Sequence, residues 1–227
     1  MSDAEKGVTD AVISGRRVLL RRGVRDDSPL VVLNTFGDEG KRVLDTLLQM
    51  TDADFSLAAV SDIDWDREMS PWPYDDGRNA FAGGADAFLE ELTGEIIPQA
   101  ERLMSVHPSR RFIAGYSLAG LFAIYSLYRT DLFSGAVSAS GSLWYPGFAE
   151  FAEKNDPVRM PDRIYLSLGD RESKTRNPVM AAVGQRTEEL CSLYASKGIG
   201  TVFESNPGNH FREPELRTAK GIAWILG

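Results

Sequence analysis

The stretch "RRFIAGYSLAGLFAIYSLYRT", residues 110–130, decides the fold. Its first residues read as a short buried strand over 111–114, and an apolar, helix-like run begins at Leu121. Between them lies Gly115-Tyr116-Ser117-Leu118-Ala119-Gly120. A chain that passes from strand to helix in so few residues turns sharply, and the residue at the corner is strained. The positions two before and two after that residue must be small, and here they are Gly115 and Ala119. Gly120 then lets the helix pack close. The pattern is G-x-S-x-G, the nucleophile elbow, with Ala in place of the second Gly. The same residues also suit a packing corner with an inert serine, so chemistry at Ser117 requires partners elsewhere in the chain.

Outward from this corner, short runs rich in Val, Ile and Phe alternate with longer runs of helical period. Strands are expected over residues 16–23, 29–36, 55–63, 133–140, 163–169 and 201–208. Helices are expected at "DEGKRVLDTLLQM", at "GADAFLEELTGEIIPQAERLM" with an interruption near Pro98, and at the closing "EPELRTAKGIAWIL". This alternation predicts an α/β fold: a mostly parallel central sheet with helices on both faces and its site at the carboxyl ends of the strands. The arginines of "RRVLLRRG" read as protection of a sheet edge. Residues 64–83 read as one long irregular loop, a feature that is often functional.

The 227 residues suit a single domain, 1–227. A net charge of -8 argues against nucleic acid as the main partner. No apolar run approaches the roughly 20 residues of a membrane span. The N-terminal "MSDAEKGVTDAVISG" is acidic and lacks an apolar core, so no signal peptide is expected. The one cysteine, Cys191, allows no intrachain disulfide and reads as a core residue of an amphipathic helix. A cytoplasmic protein is expected.

A serine hydroxyl needs a base. Of the two histidines, His107 stands just before the strand that leads to Ser117, hence at the amino end of that strand and far from the corner. His210, in "NPGNHFREP", follows the last strand and precedes the last helix, at the same sheet edge as Ser117. The base needs an orienting acid, and "YLSLGDRESKTRNP" after the penultimate strand offers Asp170 and Glu172. The chain order Ser, acid, His is that of the α/β-hydrolases and differs from the two common protease orders. Three placements that agree set the inert-corner reading aside.

The segments "GYSLAGLFAIYSLYRT", "SASGSLWYPGF", "GGADAFLEELTGEIIPQAE" and "GNHFREPELRTAKGIAWIL" resemble the esterase branch of the α/β-hydrolases. That branch includes esterase D, feruloyl esterases, mycolyltransferases and enterochelin-type siderophore esterases. The third segment is most similar to the bacterial siderophore-esterase group. The resemblance runs from about Pro29 to the C terminus and implies a Ser–His–acid triad that works through an acyl-enzyme. Members often carry the acid three residues after the glycine that ends the strand. With Gly169 as that glycine, the resemblance favours Glu172 and leaves Asp170 as the alternative. Some siderophore esterases are described with a Ser–His pair and no clear acid; on that pattern neither carboxylate is essential. The N–H of Leu118, next after the nucleophile, is one expected oxyanion donor. The resemblance puts the second at the N–H of Phe36.

Three loops should border Ser117: residues 64–83 with Trp72, residues 140–146 with Trp144, and the segment after Gly169 with Arg171, Lys174 and Arg176. Trp144, Trp72 and Arg171 are the candidate substrate contacts, the rings for an aromatic group and the cation for an anionic one. Asp62, Asp64 and Asp66 alternate as at the start of a calcium loop. Arg67 and Pro73 stand where that loop needs Gly and Glu, so no metal is expected. No dinucleotide or phosphate-loop fingerprint is present, and no cofactor is expected. The expected activity is cleavage of a small-molecule carboxylic ester, with a siderophore-type trilactone among the candidates. The alternatives are an acyltransferase of the mycolyltransferase kind and a non-catalytic binding module on the same fold.

Overall fold

The computed structural model describes residues 7–75, 77 and 79–227; residues 1–6, on which part of the N-terminal reading falls, lie outside it. In chain order the elements are β1 (Val8–Ile13), β2 (Arg16–Arg21), β3 (Leu30–Asn34), α1 (Glu39–Leu47), β4 (Ser56–Val60), α2 (Trp65–Glu68), β5 (Pro73–Asp75) and β6 (Ala80–Ala82). Then come α3 (Ala85–Glu91), a π-helical turn (Leu92–Ile96), α4 (Ile97–Met104), β7 (Arg111–Tyr116), α5 (Leu118–Ser126), β8 (Gly135–Ala139) and α6 (Phe148–Lys154). The chain closes with β9 (Arg163–Gly169), α7 (Pro178–Ala181), α8 (Val183–Ser196), β10 (Gly200–Asn206) and α9 (Pro214–Leu226).

Eight strands form one sheet in the order β1-β2-β4-β3-β7-β8-β9-β10. From β4 to β10 every pairing is parallel, while β1 and β2 are antiparallel additions at one side. Successive side chains of a strand point to opposite faces, and here both faces are apolar. Leu30, Val32, Ile113 and Ala136 meet α3, α4 and α5 on one face. Val31, Leu33, Phe112 and Ala114 meet α1 and α9 on the other. Helices therefore cover both faces, and the carboxyl ends of the six parallel strands point to a common edge where the loops gather.

Three expectations change. No strand is expected over residues 8–13, yet β1 pairs with β2 there, so β2 is an inner strand and its arginines do not guard an edge. Arg16 is instead held between Glu68 at 2.7 Å and Glu91 at 2.6 Å. Residues 64–83 are not one irregular loop, since they contain α2 and the β5–β6 hairpin. The expected break near Pro98 is absent. Pro98 follows the π turn, whose wider turn accommodates the missing N–H and the ring, and helical backbone runs from α3 into α4. Among the described residues no helix is long and apolar enough to cross a membrane.

Candidate active site

The corner between β7 and α5 is as tight as the small residues imply. Ser117 has φ 57° and ψ -123°, a conformation that side chains other than glycine rarely adopt. Its N–H donates to the Ala139 carbonyl at 3.1 Å, and its own carbonyl accepts the N–H groups of Gly120 and Ser142, each at 3.0 Å. A Cβ at Gly115 would lie 2.4 Å from the Ala119 carbonyl, so only glycine fits there. Gly120 lies against Gly141, where an added Cβ would come within 3.0 Å of the Gly141 Cα. These contacts hold the serine hydroxyl up at the carboxyl edge of the sheet.

His210 comes to the same edge from the loop after β10. Its Nε2 lies 3.0 Å from Ser117 Oγ, and its Nδ1 lies 2.7 Å from Glu172 Oε2. The other carboxylate oxygen of Glu172 accepts from the Gly169 N–H at 2.6 Å, the Ser140 hydroxyl at 2.7 Å and Arg217 at 2.9 Å. Burial raises the Glu172 carboxyl pKa. Hydrogen bonds from His210 and the Gly169 N–H outweigh that effect, helped by the charge of His210 and the bond from Ser140, so the carboxyl lies below its ordinary range.

Asp170, two residues earlier, has a different task. Its carboxylate accepts the Gly208 N–H at 2.7 Å and so ties the loops after β9 and β10 together. The structure thus brings Ser117, His210 and Glu172 into one line and leaves Asp170 beside it. His107 is exposed on the segment before β7. Cys191 is half-buried on α8, where burial pushes its thiol pKa up and away from the reactive thiolate.

Leu118 opens α5, and the first N–H groups of a helix lack intrahelical partners. Phe36 is less simply placed. Its N–H donates to Glu39 Oε2 at 3.3 Å, the carboxylate of the first residue of α1. An oxyanion at this N–H would have to displace that carboxylate.

A cleft of about 600 Å³ opens over Ser117 and His210. Trp144, Met180, Val183 and Phe211 give it apolar walls, and Arg171 and Lys174 stand on its rim. Trp72, expected to contact substrate, does not line this cleft. It packs among Tyr125, Tyr145, Phe148 and Phe151 and donates its indole N–H to the Pro146 carbonyl at 2.9 Å. It braces the Trp144 loop from behind. The sequence reading also passed over Ser140, Ser142, Tyr116 and Arg217. Ser142 Oγ lies 3.4 Å from Ser117 Oγ. Ser140 has a positive φ of 45°, an abnormal backbone that no local motif announces.

A parallel sheet with a strained serine between β7 and α5 defines a hydrolase of the α/β type. The family described as "Putative esterase" matches residues 45–214, and the chain belongs to that family. It is similar in structure to an IroE-like serine hydrolase from Shewanella oneidensis, with a TM-score of 0.78 at 15% identity over 96% of this chain and 80% of that one. Siderophore hydrolase EstA from Aspergillus nidulans gives 0.75 at 18% identity over 98% and 95%. An enterochelin esterase from Shigella flexneri gives 0.70 at 19% identity over 97% of this chain and 59% of that one. At such identities the likeness speaks for the fold. A comparison with curated proteins finds no match. The family match makes the chain a carboxylic ester hydrolase, and the fold is one that such enzymes use.

Proposed function

We propose that this protein hydrolyses a carboxylic ester through Ser117, His210 and Glu172. The observation that carries the reading is the continuous line of contacts from Ser117 Oγ through both ring nitrogens of His210 to a buried carboxylate, at 3.0 and 2.7 Å. Ser117 Oγ attacks the ester carbonyl while His210 Nε2 takes its proton. The imidazolium returns that proton to the leaving alcohol, and an acyl-enzyme remains. Water then attacks the acyl group by the same route, releasing the acid and restoring the serine. Glu172 keeps the proton on Nδ1 and stabilises the imidazolium. The Leu118 N–H, at the positive end of α5, meets the oxyanion, and the Phe36 N–H joins it once freed from Glu39.

The cleft supports a substrate with an apolar or ring-bearing portion against Trp144 and Phe211 and negative charge toward Arg171 and Lys174. The siderophore hydrolases among the structural relatives make a catecholate trilactone the first ester to try. The His210 side chain is 32% exposed, so water reaches the base as hydrolysis requires; an acceptor alcohol would reach it by the same route, and product analysis with added alcohol separates hydrolysis from acyl transfer. A single domain in a reducing, cytoplasmic setting agrees with the lone, half-buried cysteine. The test is reaction with a fluorophosphonate followed by intact mass and peptide mapping. One adduct on Ser117 is expected, absent in Ser117→Ala. No adduct on the native protein would end the hydrolase reading, and an adduct that survives Ser117→Ala would end the site assignment.

A further inference from the structure

Among the described residues, Arg217 heads the fully buried side chains in size, with 1% of its surface exposed. It projects from α9 to the end of the sheet that carries the site, and a buried guanidinium is tolerated only where its charge and donors are matched. Nη1 lies 2.9 Å from Glu172 Oε1, 3.0 Å from Ser140 Oγ and 3.3 Å from the Tyr116 hydroxyl. Nη2 donates to the carbonyls of Pro207 and Asn209 at 3.0 and 3.1 Å. The network runs in one direction. Arg217 donates to Ser140, which donates to Glu172; Arg217 donates to Tyr116, which donates to the His210 carbonyl at 2.6 Å. Room for the guanidinium comes from Gly169, where a Cβ would lie 2.9 and 3.0 Å from the two Nη atoms.

We propose that Arg217 is a positioning residue that locks the Glu172 carboxylate and the His210 loop into one unit, so that Oε2 and Nδ1 meet in a single geometry. The inference rests on the hydrolase reading above. By occupying Oε1, Arg217 leaves only Oε2 for the imidazole. By holding the carbonyls of residues 207 and 209, it fixes the backbone that leads into His210, while Tyr116, bonded to the same guanidinium, holds the His210 carbonyl. Its charge also balances that of Glu172, so the pair behind the imidazole is neutral overall, and proton transfer from Ser117 to His210 only separates charge within the site. The charged or titratable groups that face Glu172 are His210, Arg217 and Tyr116; Arg171 and Lys174 stand on the open side of the cleft.

The experiment compares full-length wild type, Arg217→Lys, Arg217→Met, Glu172→Gln and the Glu172→Gln/Arg217→Met double variant. Each is checked by thermal melting, and kcat and KM for a soluble nitrophenyl ester are followed across pH. Arg217→Met should lower kcat by about 100-fold, the scale of a small misplacement of reacting groups, while KM changes by less than about threefold. The acid limb of its kcat/KM profile should move to higher pH, because the carboxylate holds the imidazole proton more strongly once the cation behind it is gone. Arg217→Lys should keep the wild-type acid limb with a smaller loss of kcat. In the Glu172→Gln background, Arg217→Met should lose less than about threefold more, since its effect passes through the carboxylate.

A full, additive loss in that background, or a loss confined to KM, would overturn the proposal and leave Arg217 as a support for α9 alone. If Arg217→Met does not fold, Arg217→Lys and the double variant, which removes both buried charges, carry the same comparison. Fluorophosphonate labelling separates the two readings. An unlabelled wild type breaks the hydrolase reading itself. A labelled wild type with Arg217→Lys and Arg217→Met labelled at the same rate breaks only this inference.

Discussion

The two walls of the cleft are built on opposite terms. Behind His210, the Glu172 and Arg217 side chains are 4% and 2% exposed, and the polar atoms that define the geometry are bonded to one another. In front of it, Phe211 is 85% exposed and the Arg171 side chain 69%. Arg171 approaches a partner only at 4.0 Å, its own neighbour Asp170. Buried, satisfied networks keep one arrangement because each alternative leaves a group unpaired in a low dielectric. Exposed side chains have no such constraint and take their positions from the ligand. The inner wall is suited to fixing a reaction and the rim to choosing what undergoes it.

The sharpest way to break this contrast is at Ser117. Ser117→Ala should lower ester turnover by on the order of 10⁴-fold or more in a steady-state assay, with an unchanged fold by circular dichroism. Next come the two neighbouring acids, Glu172 in the buried wall and Asp170 outside the cleft lining. Glu172→Gln should reduce kcat by about 10² to 10⁴-fold, and Asp170→Asn by less than about threefold, since it ties only loop to loop. The reverse ranking would move the acid role to Asp170, and two weak effects would leave a Ser–His pair. Substitutions on the rim should act on binding. Trp144→Ala and Phe211→Ala should raise KM for a ring-bearing ester by about 10-fold while kcat stays within about threefold. A matching loss of kcat at either position would erase the distinction between the walls.

The smallest expected effect is on stability in acid. The Glu172 carboxyl lies below its ordinary value of 4.5 in the native protein, so its contribution is present above that pH and is lost as pH falls through the lower native value. Melting curves through this window should fall more steeply for wild type than for Glu172→Gln. Parallel slopes would show that the carboxylate gains nothing from its buried partners.

The features legible in the sequence are those with a local signature. The elbow needs small residues at fixed offsets, and strands buried on both faces read as unbroken apolar runs, so β7, α5 and the parallel sheet could be placed. His210 was found because a histidine after the last strand has one sheet edge to occupy. The misses share a physical cause. Trp72 stands in a Pro-rich loop with no periodicity to say which way it points, and its direction is set by rings from residues 125 to 151. Arg217 is a charged residue of the closing helix, where charge ordinarily means solvent, and its partners come from residues 116, 140, 172, 207 and 209. The π turn was hidden in another way. Phe88, Leu92, Ile96, Ala100 and Met104 are all buried at intervals of four. In an ideal α-helix such a series drifts about 40° per step away from one face. The wider turn over Leu92–Ile96 absorbs the drift, and a reader who assumes one helical period puts the fault at the proline instead.

The backbone of Ser117 carries a further consequence. A φ of 57° is free to glycine and strained for serine by about 1–3 kcal/mol. Ser117→Gly should therefore melt a few degrees above wild type while losing all turnover. Judged by folding alone, the residue at the head of α5 is the wrong one. The chain tolerates a less stable native state at this position, and an engineering campaign that selects only for heat resistance would be drawn to remove the serine.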